Sequence, residues 1–571
     1  MTGLSVGNQF TQTPGLSTGG GMSRGNRFSF DGFIPQPAIL LDFTTGTLDS
    51  RVVYTLLSPA TNTGLGTMYN SAGYITYRPN NLLLNSATLS TQNVTTTAAS
   101  PYILSFKGTG TVTLSGTSTS GPLVGTGANN RVYLKFTPTA GTLTLTVSGT
   151  VTEAQLEAVT YETEPRAYNA TTGSAYYGPR FDYNPAHGQS GALLLQEGNR
   201  TNAFVYSTNL STGNYGNTNT TKTLSAVLGP DNYTAAYYVT ATANNGSITG
   251  VPGSSSTTTR SASVFLRRKT GTGTITFGSG TSTVDCTAVP SSGWTRYQVN
   301  LADQNGTYSV TGNLVTVTIT NHGFISGERV RAVYTSGTAP AVTSGAITVT
   351  GANTFTFAQT TADTSGNVTI YPSCTTLFLG ISGDEVYAWG WQYEFSYGAS
   401  SYIPTNGATV TRVAEKFSIT STNFSSWFTL TGTVYAEYAF AAVTGAVSNG
   451  THFAITNNTT TGMYANLYNT STGIRFDTGT SGSSSLVRNT QPVVGTLYKV
   501  AKSINATNWA TVAKFSGQSA VTGTAVTTTT PTQIEWGGTP PSLGNQGFYW
   551  LKSFAFYNQS LSQTQIGNLV P

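Results

Sequence analysis

Short runs in which apolar residues alternate with Thr, Ser or Asn recur along this chain, bounded by Gly or Asn. Gly110-Thr111-Val112-Thr113-Leu114-Ser115 and Gly141-Thr142-Leu143-Thr144-Leu145-Thr146-Val147 are two of them. A period of two sends alternate side chains to opposite faces, so each run predicts a β-strand with one buried face. Helix formers are scarce, and Ser562-Gln563-Thr564-Gln565-Ile566 is a short exception near the end. Regular short strands with turn residues between them predict an all-β chain of several jelly-roll β-sandwiches in series.

Internal repetition refines this picture. Asn81-Leu82-Leu83-Leu84-Asn85-Ser86-Ala87-Thr88-Leu89-Ser90 aligns without gaps on Asn202-Ala203-Phe204-Val205-Tyr206-Ser207-Thr208-Asn209-Leu210-Ser211. Downstream, Gln155-Leu156-Glu157 is followed by Tyr161 and Pro165, and Gln392-Tyr393-Glu394 by Tyr397 and Pro404. Matching ends with different interiors predict two related sandwiches, the second interrupted by an extra block. That block carries Leu314-Val315-Thr316-Val317-Thr318-Ile319, a turn at Asn321-His322-Gly323-Phe324 and further strands to Phe357. It is expected to be a small β module inserted at a loop tip, where closure entropy costs little. His322, with no second ligand at metal spacing, is expected to be structural.

The expected organisation is therefore an arm over 1–36, a β leader over 37–80, a first jelly roll over 81–175 and a connector over 176–200. A second jelly roll follows over 201–305 and 373–414 around the insert 306–372, and a last sandwich spans 415–571. A length of 571 residues accommodates several domains at about 150 residues each.

Composition narrows the function classes. Only 8% of residues are charged and the net charge is +5, too dilute to create a field for nucleic acid. Arg267-Arg268-Lys269 closes an alternating run and is expected to be a solvated strand end. No stretch of about 18 apolar residues predicts membrane insertion, and the first residues lack a secretory pattern. Cys286 and Cys374 cannot form a disulfide framework or a zinc site; they are expected to be reduced core thiols, and no metal or cofactor is expected.

Several stretches together carry a resemblance. Leu40-Leu41-Asp42-Phe43, Tyr69-Asn70-Ser71-Ala72-Gly73-Tyr74-Ile75, Gly178-Pro179-Arg180-Phe181-Asp182-Tyr183-Asn184-Pro185 and Leu193 to Asn202 form an ensemble that resembles structural proteins of tailed bacteriophages, tail fibres and other appendages above all. The second jelly roll, with Gly293-Trp294-Thr295-Arg296-Tyr297 and Trp391 to Arg412, resembles carbohydrate-binding modules found in such proteins. The first copy has no tryptophan. From about Glu415, Gly432-Thr433-Val434-Tyr435-Ala436-Glu437-Tyr438 and Phe554 to Ser562 resemble a concanavalin-A-like or laminin-G-like sandwich. The resemblance implies a virion protein assembled in a host cytoplasm, a homotrimer, docked to other virion proteins through the Gly/Ser/Thr-rich arm of residues 1–36.

Chemistry-bearing residues are few. The three histidines, His187, His322 and His452, stand in no nucleophile, P-loop, dinucleotide or zinc-protease motif. Glycoside hydrolysis needs only two carboxylates, and Asp182, Glu197, Asp384, Glu385 and Glu394 are possible members. Glu394 repeats Glu157, which favours a structural hydrogen bond, and no catalytic residue is assigned. Sugars stack on aromatic rings and pair with amides and hydroxyls. In the last sandwich Trp509 and Trp536 sit beside turn residues, and Tyr464 and Tyr468 share an alternating stretch; these four are the expected carbohydrate platform, whereas Trp550 is expected in the core.

The function expected from these features is host-surface carbohydrate binding by a non-enzymatic virion fibre, on the tail or the head. A purely structural virion subunit, such as a head decoration, and a bacterial surface adhesin or polysaccharide depolymerase are the alternatives. The partners expected are further copies of the chain, other virion proteins and a bacterial glycan, without nucleic acid or membrane insertion.

Overall fold

The computed structural model describes residues 34–56, 65–97, 100–337, 343–360, 362–441, 450–458, 463–469, 474–477, 486–488, 493–506, 510–524, 530–537 and 548–571. These are nearly all β, and every pairing between named strands is antiparallel. The chain is a set of β-sandwiches, as the alternating pattern predicts. No helix among the described residues is long and apolar enough to cross a membrane.

The first jelly roll packs the sheet Gly127–Phe136, Tyr102–Gly108, Val151–Ala158 on the sheet Gln92–Thr96, Gly141–Ser148, Thr111–Gly116, Leu123–Val124. Val112, Leu114, Leu143 and Leu145 point into its core while Thr113, Thr142 and Thr146 are exposed, which is the period-two reading realised. Burying each such aliphatic side chain contributes about 1.5–3 kcal/mol. In the second jelly roll two five-stranded sheets enclose Val264, Leu266, Phe277, Leu377, Trp391 and Tyr393. The inserted block is one seven-stranded sheet, from Gln304–Thr311 to Thr364–Pro372, closed on its own core of Val315, Val317, Phe355 and Phe357. There His322 is buried, its Nε2 3.1 Å from the Gly351 carbonyl and its Nδ1 accepting the Phe324 N–H at 3.0 Å.

The two jelly rolls share more than their strands. Asn81 donates through Nδ2 to the carbonyls of Ala154 (3.0 Å) and Asn169 (2.8 Å), and its Oδ1 accepts from the N–H groups of Leu83 and Leu156, both at 3.2 Å. Asn202 does the same with Trp391, Ile403, Phe204 and Tyr393 at 2.9–3.1 Å. Ser86 pairs with the Tyr168 hydroxyl at 2.9 Å, and Ser207 with that of Tyr402 at 2.6 Å. Glu157 accepts the Arg166 N–H, and Glu394 accepts that of Ser400. In each copy the first strand, the last strand and the closing loop are thus tied by the same buried polar groups. The downstream match read from the sequence, Tyr161 with Tyr397 and Pro165 with Pro404, is corrected here: Tyr168 corresponds to Tyr402. The loop after Gln392 is three residues shorter than the one after Gln155, which displaces a match made by residue type.

The last sandwich borrows strands from far upstream. Ile39–Asp42 and Leu193–Gln196 both pair with Tyr549–Tyr557, Arg180–Asp182 pairs with Leu193–Gln196, and Val53–Leu56 pairs with Glu415–Thr420. Leader and connector therefore supply strands to both sheets of the C-terminal unit. The Leu193-Leu194-Leu195 run fits this place, since Leu194 enters the inter-sheet core while Leu193 and Leu195 are buried on the other face with Trp550 and Ala439. A strand covered on both faces is apolar without alternation.

Candidate functional site

The last strand of the second jelly roll, Glu385–Glu394, changes faces midway. Val386 and Ala388 point into the core, and so do Trp391 and Tyr393. An even spacing would put Trp389 with Trp391, yet Trp389 lies on the outer face with Phe265, Tyr402, Ile75 and Ala236. The ladder against Arg260–Thr270 slips between Ser263↔Gln392 and Phe265↔Trp389, a β-bulge. Gly390 carries it at φ +66°, where a Cβ would also stand 3.0 Å from the Phe265 ring. The first copy keeps the bulge at Glu153, φ +46°, but Thr152 stands where the second copy has Trp389.

Trp389 and Tyr402 stand with ring centroids 4.6 Å apart; both line one cleft, and Tyr402 also lines a second. The larger, about 350 Å³, lies between the jelly rolls and is lined by Trp389, Tyr402, Tyr233, Asp231, Asn209 and Thr405, among others. That volume falls in the range of about 300–1,000 Å³ usual for small-molecule sites. Asp231 accepts the N–H groups of Tyr233 (3.1 Å) and Thr234 (2.9 Å) and the Thr234 hydroxyl (2.6 Å). Burial nevertheless raises its carboxyl above the ordinary range. Two buried polar atoms at this cleft, Nε1 of Trp389 and Oγ1 of Thr405, have no hydrogen-bond partner among the described residues. Gly229 approaches so closely that a Cβ there would stand 2.4 Å from the Trp389 Nε1.

The smaller cleft, about 150 Å³, lies toward the last sandwich and includes Asp182, Glu197, Arg296, Ser401 and Trp550. Asp182 accepts the Tyr69 N–H at 2.6 Å and the Trp550 indole N–H at 2.7 Å. Burial pushes its carboxyl up to about 6 against those hydrogen bonds and the charge of Arg180. His187 is engaged too, with Nε2 3.1 Å from the Asp182 carbonyl and its ring edge-on to Trp550 at 5.6 Å.

Beneath this cleft five charged side chains meet, none more than 1% exposed. Glu415 pairs with Arg78 (2.8 Å) and Arg180 (2.5 Å), and Glu197 with Arg180 (2.8 Å) and Arg412 (3.0 Å). Burial alone would raise Glu197, but Arg412, Arg180 and the Ser401 N–H and hydroxyl hold it down at about 2. Burial pushes Arg412, which has Glu197 as its paired carboxylate, down to about 10, whereas Arg180, between two carboxylates, is raised. The hub ties leader, connector, second jelly roll and last sandwich together, and both of its carboxylates are paired with its guanidinium groups.

Of the four residues of the carbohydrate platform expected from the sequence, Trp536 alone has a described side chain. Trp536 is 1% exposed, edge-on to Phe554 at 5.2 Å in the core of the last sandwich, because the strand Gln533–Trp536 lies mid-sheet between Glu415–Thr420 and Gly450–Thr456. Trp509 lies outside the described residues. Tyr464 and Tyr468 fall on the strand Met463–Asn469, with their side chains outside the description. Trp550 is buried, though against Asp182 and the connector rather than between the sheets. The other expected acids are occupied: Glu385 by Lys269 (2.5 Å) and Thr240 (2.7 Å), and Glu394 by Ser400 and Gln392. Asp384 accepts the Gly273 N–H at 3.2 Å. Cys286 and Cys374 are both free and buried. Among the described residues no group of three or more His, Cys, Asp or Glu is arranged to hold a metal ion. The residues missed at the sequence level are Trp389, Asp231 and Tyr233; Gly390 between two tryptophans is the signal that marks the bulge.

No family model and no curated protein matches the chain. Similar solved structures include the CBM40 of the IT-sialidase of Ruminococcus gnavus, at 16% identity over 25% of this chain and 83% of that one, with a TM-score of 0.20. The same module bound to α2,3-sialyllactose gives 14% identity, the same coverage and a TM-score of 0.22. The LG1-3 region of the laminin α2 chain gives 9% identity over 86% of this chain and 96% of that one, with a TM-score of 0.15. At these scores the likenesses add nothing to the β-sandwich architecture that the sheets themselves define.

Proposed function

We propose that this chain is a non-enzymatic appendage protein of a tailed-phage virion, a tail or head fibre, that binds carbohydrate on the host surface. The observation that carries the binding half is the cleft between the jelly rolls, where aromatic rings meet a wall of hydroxyl, amide and carboxyl groups. That mixture of ring faces and short polar groups is what a sugar requires. Against catalysis stand the internal pairing of Glu197, Glu394 and Glu385 and the buried, hydrogen-bonded state of His187 and His322. The virion half rests on the sequence resemblance of the leader and connector stretches, whose strands serve the scaffold. Weak single-site contacts become effective when identical subunits present them together.

The test is capture of bacteria by the immobilised full-length chain, before and after periodate oxidation of the cell surface. Capture of untreated cells that periodate abolishes is expected. Capture that survives periodate, or no capture at all, contradicts the reading.

A further inference from the structure

We propose that the larger cleft, between the two jelly rolls, is a binding site for an uncharged saccharide unit; this deepens the glycan-binding reading above and rests on it. The cleft is large enough for a small ligand and has apolar walls of Ile75, Val159, Pro404 and Val410. Its polar equipment matches hydroxyls. The Trp389 indole N–H, on a side chain 1% exposed, is a donor without a partner among the described residues. The Thr405 hydroxyl, 4% exposed, is a donor and acceptor in the same position. Both retain hydrogen-bonding capacity that nothing among the described residues takes up. Thr405 is held in place, since its N–H donates to Ser207 Oγ at 2.9 Å, and Ser207 in turn holds the Tyr402 hydroxyl.

Charge decides the sugar class. No Lys or Arg lines the cleft, and the one lining carboxyl, Asp231, is turned toward Tyr233 and Thr234 by three hydrogen bonds. The Lys135 ammonium stands 5.4 Å from the Tyr233 ring centre but does not line the cleft. A sialic or uronic acid would bring its carboxylate beside Asp231 with no cation to receive it, which disfavours binding strongly in a partly buried site. A neutral hexose, deoxyhexose or N-acetylhexosamine meets no such penalty. The Trp389 wall has no counterpart in the first copy, where Thr152 stands at that position.

Saturation-transfer NMR on the full-length chain tests this, with glucose, galactose, rhamnose and N-acetylglucosamine as neutral probes and N-acetylneuraminic and glucuronic acids as charged ones. The variants are Trp389→Phe, which keeps a ring without the N–H, Thr405→Val, which keeps the shape without the hydroxyl, and Tyr233→Ala at the half-buried rim. Tyr233→Ala removes a wall of the cleft without entering a core, so the test stands even where Trp389→Phe fails to fold. At least one neutral sugar is expected to bind, with affinity reduced about fivefold or more in each folded variant. Binding of charged sugars only overturns the proposal. Neutral-sugar binding that all three variants leave unchanged also overturns it, while the glycan-binding reading stands. Absence of any saccharide signal together with failure to capture cells brings down both.

Discussion

Glu328 shows how a single buried group ties this fold to pH. It sits where the inserted sheet meets the second jelly roll, accepting the Thr376 hydroxyl at 2.9 Å and the N–H groups of Ile325 (3.2 Å) and Gly280 (3.4 Å), with Cys374 close by. Burial pushes its carboxyl up to about 7, against an ordinary 4.5. The folded state then binds more protons than the unfolded one between these values, so this group's contribution to stability falls as pH rises from about 4.5 to 7 and is level above. Glu328→Gln, whose amide oxygen accepts the two N–H groups while its N–H donates to the Thr376 hydroxyl, is expected to flatten that decline and to be the more stable form at pH 8. The gain is a few kcal/mol at most, since one pKa unit corresponds to about 1.4 kcal/mol. Urea unfolding of both proteins at pH 5 and pH 8 checks this; equal pH dependence refutes it. At this scale the sequence was a poor guide. Trp536 beside Gly537 reads as an exposed turn residue and is core, because adjacency to a turn does not say which face of a central strand a side chain takes. Trp389, two residues before the core Trp391, is turned to the outer face by one inserted residue, which no alternating pattern in the sequence singled out.

Elements were more legible than residues. The alternation in Thr111–Gly116 and Gly141–Ser148 named strands and their buried faces, and the Asn81/Asn202 repeat named two related sandwiches. Which sheet a strand joins was not legible: Ile39–Asp42 and Tyr549–Tyr557 pair across most of the chain, and no local pattern carries that information. Two predictions belong here. Gly390→Ala forces a Cβ onto the Phe265 and Tyr402 rings at a left-handed φ, so it is expected to cost about 1–3 kcal/mol and to disturb the contact of Tyr402 with Trp389. Thermal unfolding checks it, and an unchanged midpoint refutes it. Asn81→Ala removes four buried hydrogen bonds of the first jelly roll, whereas Asn202→Ala removes the matching four in the second. Each is expected to destabilise by about 2 kcal/mol or more, with hydrogen-exchange protection lost first in the affected jelly roll. Uniform loss across the chain in both variants contradicts the separate clamps.

At the scale of the whole molecule, the buried hub of Arg78, Arg180, Glu197, Arg412 and Glu415 holds four segments of distant sequence at one point. Glu197→Gln leaves Arg412 buried without a carboxylate and is expected to cost about 3–5 kcal/mol, with the second jelly roll and the last sandwich loosening together in hydrogen exchange. A loss confined to one of them contradicts the hub's joining role. On the proposed reading as a virion fibre, for which the sequence resemblance implies a homotrimer, light scattering is expected to give about three times the 59.8 kDa of one chain. On the proposed reading the molecule binds polysaccharide without cutting it. Incubating the full-length chain with isolated bacterial capsular polysaccharides and lipopolysaccharides, and measuring retention and reducing ends in the same sample, tests it most directly. Retention of at least one polymer with no rise in reducing ends is expected; reducing-end release, or retention of none, contradicts non-enzymatic binding.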